Sequence, residues 1–186
     1  MSFQYRPLMP QNKIYILLLV TSFSMIIYSC KKEVDGCTSS SAMNYDSAAT
    51  TDDGSCIFAY NIAQGVWGIS PDCEEYTIPI IGTTISLNNQ LPENIEVQGA
   101  GNNILYIEIG DTQVTGVIDN LGQITVNNQT ISLDMGFGPM DIDVEGTGEI
   151  KSSSSGEMDL TYSFDIEAIP GFPISESLDC SISLVK

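Results

Sequence analysis

Met140-Asp-Ile-Asp-Val-Glu-Gly-Thr-Gly-Glu-Ile-Lys151 and the nearby Met158-Asp-Leu-Thr-Tyr-Ser-Phe-Asp-Ile-Glu167 alternate between apolar and polar side chains almost without fault. A period of two sends successive side chains to opposite faces of a strand, so each stretch reads as a strand with one face buried and one in water. Met140, Ile142, Val144 and Ile150, then Met158, Leu160, Tyr162, Phe164 and Ile166, fall on the buried face. The Asp, Glu, Ser and Thr residues between them fall on the outer one, so much of the negative charge is a solvated face. Ser152 to Gly156 supplies the turn that makes the pair a hairpin. Gly146 and Gly148 lie on the inward face, which suits a sharply curved corner where a side chain would crowd the neighbouring strand.

The same reading extends outward from this hairpin. It predicts strands over Gly65–Ser70, Glu75–Ile81, Thr83–Leu87, Ile95–Gln98, Ile104–Ile109, Gln113–Asp119, Gln123–Val126, Thr130–Asp134 and Leu178–Val185. Asn- and Gly-rich turns separate them, at Asn88-Asn89, Gly101-Asn102-Asn103, Asn120-Leu121-Gly122 and Asn127-Asn128. From Tyr60 onward no stretch carries a helical period. Many short strands with hairpin-length links predict an all-β fold, an antiparallel up-and-down meander closed as a small barrel, with a β-sandwich as the alternative.

The chain has 24 acidic and 6 basic residues and no histidine, a net charge of -18. Nucleic acid, whose phosphates need a basic surface, is excluded as a partner. Nucleophilic triads are excluded as well, because no imidazole base is present and no serine stands beside an evident substitute. Asp141 and Asp143 share one strand face, but that face is open to solvent, whereas a glycosidase pair must flank a sugar in a cleft. The expectation is a protein that is not an enzyme and needs no cofactor.

At the start of the chain, Arg6 and Lys13 precede an apolar run over residues 14–29, shorter than the roughly 20 residues of a spanning helix. This is the h-region pattern of a signal peptide. Left uncleaved, it would be an anchor helix. The run ends in Ile27-Tyr28-Ser29-Cys30, which resembles the lipobox of bacterial lipoproteins. The resemblance implies cleavage before Cys30, acylation of that cysteine with palmitate or a similar chain, and an outer-membrane lipoprotein on the cell surface or periplasmic face. Lys31, Lys32 and Glu33 resemble the charged surface-export signals of Bacteroidota lipoproteins. Cleavage removes Arg6 and Lys13 and no acid, raising the excess of acids over bases from 18 to 20. Such a body disfavours lying flat on anionic lipid.

With Cys30 set aside, Cys37, Cys56, Cys73 and Cys180 remain, an even number that reads as two disulfides with three possible connectivities. A zinc site would need CxxC-like pairs or histidine, and neither is present. Pairing Cys37 with Cys56 closes a local loop, and pairing Cys73 with Cys180 ties the first strand of the following domain to its last. Gly36-Cys37-Thr38, then Ala42, Asn44-Tyr45-Asp46, Ala48 and Asp52-Asp53-Gly54-Ser55-Cys56, resemble a short Cys-flanked repeat of Bacteroidota secreted and surface proteins.

Asn44, Asp46, Asp52 and Asp53 offer the hard oxygens that calcium takes. The EF-hand register fails, however, with Ala48 at the fifth place, Ala49 where glycine is needed and Ser55 where the bidentate glutamate belongs. Asp52-Asp53-Gly54 also reads as a turn. The expectation is a disulfide-closed loop module without an obligate metal.

Gly65-Val66-Trp67, the alternating strands after it and the Cys73/Cys180 pair resemble small lipocalin-like lipoprotein domains of the same bacteria. The resemblance implies a small barrel with a small hydrophobic ligand inside, and Trp67 reads as a plug in the core at one end. A small barrel filled by its own side chains is the alternative. The chain thus divides into a signal peptide at 1–29, a lipid anchor with a Cys-flanked acidic linker module at 30–59, and an antiparallel β-domain at 60–186. The functional expectation is a cell-envelope surface lipoprotein with a structural or interaction β-domain, or a lipocalin-like binder of a small hydrophobic ligand. Its partners would be the membrane, through the Cys30 lipid, and a hydrophobic ligand, a glycan or a surface protein.

Overall fold

The computed structural model describes residues 32–79, 82–109, 112–134, 138–169 and 172–186. The signal segment at 1–29 and Cys30 lie outside the described residues. Asp35–Lys186 form one compact unit.

A short parallel pair, β1 (Asp35–Gly36) and β2 (Thr51–Asp52), frames the Cys-flanked loop, and a one-turn helix, α1 (Ala59–Ala63), follows it. Then come β3 (Gly65–Cys73), a small hairpin of β4 (Glu75–Thr77) and β5 (Thr84–Ser86), and seven strands in unbroken meander: β6 (Asn94–Gly101), β7 (Ile104–Ile109), β8 (Thr112–Ile118), β9 (Gln123–Asp134), β10 (Pro139–Ser152), β11 (Ser155–Ile169) and β12 (Phe172–Val185). From β6 to β12 each strand pairs antiparallel with the next, and β3 closes the ring into an eight-stranded barrel. It does so by dividing its length. Gly65–Gly68 pair with Val97–Asn94 of β6, while Gly68–Cys73 pair with Val185–Cys180 of β12. The barrel, not the sandwich, is the architecture.

Alternation sets which side chains fill it. Ile142, Val144 and Ile150 of β10 and Met158, Leu160, Tyr162 and Phe164 of β11 are buried, Met140 and Ile166 are half-buried at the rim, and among the described residues no charged residue is buried with them. Gly146 and Gly148 sit where the curvature demands them. A Cβ at Gly146 would come within 2.1 Å of the Asp159 carbonyl oxygen, and one at Gly148 within 2.1 Å of Met158 Sδ. The β9–β10 register shifts by a bulge between Val144 and Gly146, which sharpens the bend there.

Two expectations are corrected. Gln123–Val126 and Thr130–Asp134 are one strand, β9, and Asn127-Asn128 lie inside it instead of forming a turn. β10 pairs along both halves of β9 and keeps it extended, so tertiary pairing overrides the local turn preference of Asn. On the other side the β8–β9 ladder stops at Val117 and Thr125. There the Gln129 carboxamide replaces a backbone partner, with Oε1 accepting from Thr115 N–H at 2.8 Å and Nε2 donating to Thr115 O at 2.8 Å. The other correction is α1, which the alternation did not reveal because one turn is too short to display a 3.6-residue period.

The outer face explains how the acids are tolerated. Thr130 Oγ1 donates to Asp143 at 2.6 Å, Thr161 Oγ1 to Asp179 at 2.7 Å, Ser181 Oγ to Asp159 at 2.7 Å and Ser175 Oγ to Asp165 at 2.5 Å. Each pair joins neighbouring strands between β9 and β12. Hydroxyl donors spread among the carboxylates lower their mutual repulsion and add cross-strand contacts.

Candidate functional site

One end of the barrel is sealed by sequence-adjacent pieces. α1 packs against β6 and β10, which stand opposite each other in the ring, so the helix lies across the opening. Its Ala59 and Ala63 are buried, and Trp67 Nε1–H donates to Ala63 O at 2.7 Å. The indole is wholly buried, as a core plug should be, and its one polar atom is satisfied. Lys186 covers the ring: Nζ lies 4.7 Å from the ring centroid and donates to Ile62 O and Gln64 O.

The Cys-flanked loop packs on this sealed end. Cys37–Cys56 is a disulfide with a Cα separation of 4.8 Å, Cys37 and Ala42 are buried, and Met43 packs against the barrel core near Gly122. All four calcium candidates already serve the backbone. Asn44 accepts from Ile57 N–H at 2.7 Å and donates to Ser55 O at 2.7 Å, pinning the end of the loop to its middle. Asp46 accepts from Ala48 N–H, Asp52 from Gly54 N–H and Asp53 from Ser55 N–H, all in Asx turns. Hydrogen bonds from Ser55 hold the Asp53 carboxyl below the usual carboxylate value. Among the described residues no three acidic or cysteine side chains gather in a metal-binding group.

The second disulfide joins Cys73 to Cys180, which face each other directly in the β3–β12 register. First and last barrel strands are therefore cross-linked where they meet.

Inside, a cavity of about 30 Å³ has a wholly apolar lining, including Ile107, Val114, Val126, Leu160, Ile182 and Tyr162. Tyr162 is fully buried, and its hydroxyl has no hydrogen-bond partner among the described residues. Burial alone pushes that phenol up to about 12. Tyr162 was legible in the sequence as a core residue, but not as an unpaired polar group. The available signal was that it is the one hydroxyl among Met158, Leu160, Phe164 and Ile166 on the inward face of β11.

At the far end, Tyr76 of β4 meets Glu176, on the inward side of β12; burial, then hydrogen bonding and charge from Glu176, raise the Tyr76 phenol. Asp141 and Asp143 line, with Asp165, Glu176, Met140 and Phe164, a pocket of about 500 Å³. Beside α1 a surface groove of about 230 Å³ is lined by Phe58, Tyr60, Asn61, Asn103, Asp119 and Asn120. Comparisons with protein-family models, curated proteins and solved structures find no match to this chain.

Proposed function

We propose that this protein is a lipid-anchored component of the bacterial cell envelope whose barrel is a non-catalytic structural or interaction module. The observation that carries the reading is the barrel interior: the described strands turn apolar side chains into it, and the cavity that those side chains line is about 30 Å³, room for little beyond a water-sized group. Among the described residues no charged side chain lines that cavity. The surface carries the polar groups instead, in the hydroxyl–carboxylate ladders of β9 to β12 and in the aromatic and amide groove beside α1, which suits a glycan or a surface protein. The anchor rests on the apolar run ending at Cys30, and the acidic body stands off anionic lipid. Metabolic labelling with palmitate tests it. Label should enter the protein and the membrane fraction should retain it, and Cys30→Ser should lose both; a Cys30→Ser protein that matures and fractionates normally rejects the anchor.

A second reading is favoured by one observation. The wholly apolar cavity inside the barrel supports lipocalin-like binding of a small hydrophobic molecule in the interior. Native mass spectrometry of protein from its own host tests this reading by the presence or absence of a retained small molecule.

A further inference from the structure

We propose that a seam in the barrel wall between β10 and β11, at the end away from α1, takes an extended basic segment of a partner protein as an added strand. The proposal rests on the reading of the barrel as an interaction module and gives that module's partner its chemistry.

The β10–β11 ladder ends at Ile142 and Phe164, yet both strands continue, β10 back to Pro139 and β11 on to Ile169. Each keeps its neighbour on the other side. Pro139, Met140 and Asp141 pair with Asp134, Leu133 and Ser132 of β9, while Asp165 and Ile166 pair with Ser175 and Ile174 of β12. Among the described residues, then, each strand has an unpaired edge that faces the seam. Backbone N–H and C=O groups project to both sides of a strand, so each edge offers groups with which a further strand can pair. Pro139, which has no N–H to give, is the residue type that sheets confine to edges.

The seam passes through the wall. Asp141, Asp143 and Asp165 belong to the outer face of the barrel, whereas Met140 and Phe164 belong to the inner one, with Glu176 directly opposite Phe164 in the β11–β12 register. All six line one pocket of about 500 Å³. Side chains from opposite faces of a sheet share a space only where the sheet is open. An added strand turns alternate side chains to the two faces and so reaches both sets at once.

Charge names the occupant. Asp141, Asp143, Asp165 and Glu176 line the pocket without a base among them, and the one ion pair among the described residues, Lys151 with Glu157, lies elsewhere. Asp143 and Asp165 accept bonds from the hydroxyls of Thr130 and Ser175, which leaves their charge uncompensated. A second copy of this chain is disfavoured, because it brings the same acids and the same net charge of -18 to the new ladder. A strand with Lys or Arg at alternate positions sets cations beside Asp141, Asp143 and Asp165, and lays the apolar side chains between them on Met140 and Phe164. Main-chain pairing then supplies affinity and the alternating side chains supply selectivity.

Three peptides test the proposal, each titrated at pH 7 into the full chain with labelled backbone amides: acetyl-Lys-Val-Lys-Val-Lys-amide, its counterpart with Glu for Lys, and the Lys peptide N-methylated at every residue. The Lys peptide should shift the Asp141 and Asp165 amide resonances saturably, and the Glu peptide should leave them unmoved. N-methylation removes the strand's donors and should weaken binding about tenfold or more. Asp141→Asn with Asp165→Asn, which keeps an acceptor for Ser175, should fold as the parent does and bind the Lys peptide about tenfold more weakly, the value of two exposed ion pairs. Equal binding of the N-methylated peptide would show attraction of charge without an added strand, and equal binding of the Glu peptide would remove the selection for a basic segment; either overturns the proposal. Shifts of the same amides with protein concentration alone would make a second copy the occupant and overturn it too. If no peptide moves those amides at millimolar concentration, the seam takes no strand and the proposal falls, while the anchored barrel is still read independently by palmitate labelling.

Discussion

The ammonium of Lys186 lies 4.7 Å from the centroid of the Trp67 ring and joins the end of β12 to the start of β3 at the sealed end of the barrel. The same nitrogen donates to Ile62 O and Gln64 O, on either side of the last residue of α1. One side chain therefore fastens helix, first strand and last strand. Lys186→Ala should cost about 1–3 kcal/mol, combining a cation–π contact with hydrogen bonds made by a charged donor. A urea midpoint lowered with unchanged slope checks it, and Trp67 emission reports any wetting of the indole.

Gly146→Ala should be far more damaging than its volume suggests. The added Cβ would sit 2.1 Å from Asp159 O and 2.9 Å from Leu160 Cα, both backbone atoms of the paired strand, which cannot rotate away. A loss of about 3 kcal/mol or more is expected. Gly54→Ala is the control: its φ is +77° but nothing lies within 4 Å, so only backbone strain of about 1–2 kcal/mol applies. Equal losses in the two variants would remove the steric explanation.

Non-reducing peptide mapping should return Cys37–Cys56 and Cys73–Cys180. Replacing both cysteines of a pair by serine should cost about 3 kcal/mol for the first and about 4.7 kcal/mol for the second, since the longer loop restricts the unfolded chain more. A larger loss from the Cys37/Cys56 variant would show that packing of the loop on the barrel outweighs the restriction of the unfolded chain.

Alkaline stability should carry the signature of Tyr162. Its phenol ionises near the ordinary value of 10.0 when unfolded and at about 12 when folded, so the unfolded chain releases its proton first as pH rises. Stability is thus unaffected below pH 10 and declines between pH 10 and 12, by on the order of 2–3 kcal/mol at the upper end. Tyr162→Phe should flatten that part of the profile; parallel profiles for the two proteins would show that the hydroxyl is solvated.

Millimolar calcium should leave the melting temperature unchanged. Asp46, Asp52 and Asp53 each already accept a backbone N–H bond two residues ahead, and Asn44 is committed to Ser55 and Ile57. A rise in melting temperature that Asp52→Ala with Asp53→Ala abolishes would make the loop a metal site.

The alternation of Met140–Lys151 and Met158–Glu167 determined, unaided, that these segments are strands and which side chains enter the core, because the two faces of a strand are a property of one strand. The two glycines at the tight corner were legible for the same reason, and so was the plug at Trp67. Closure was not. Whether the meander ends as a barrel or a sandwich depends on which free edges meet, and β3 settles that by giving one half of its length to β6 and the other to β12, partners far from it in sequence. Asn127-Asn128 became strand because β10 pairs across them, overriding the turn that their own preferences favour. The unpaired state of Tyr162 belongs to the tertiary structure as well: a sequence shows that a hydroxyl points inward, but only the packed neighbours, here Val144 and Leu178, decide whether anything is there to receive its hydrogen bond.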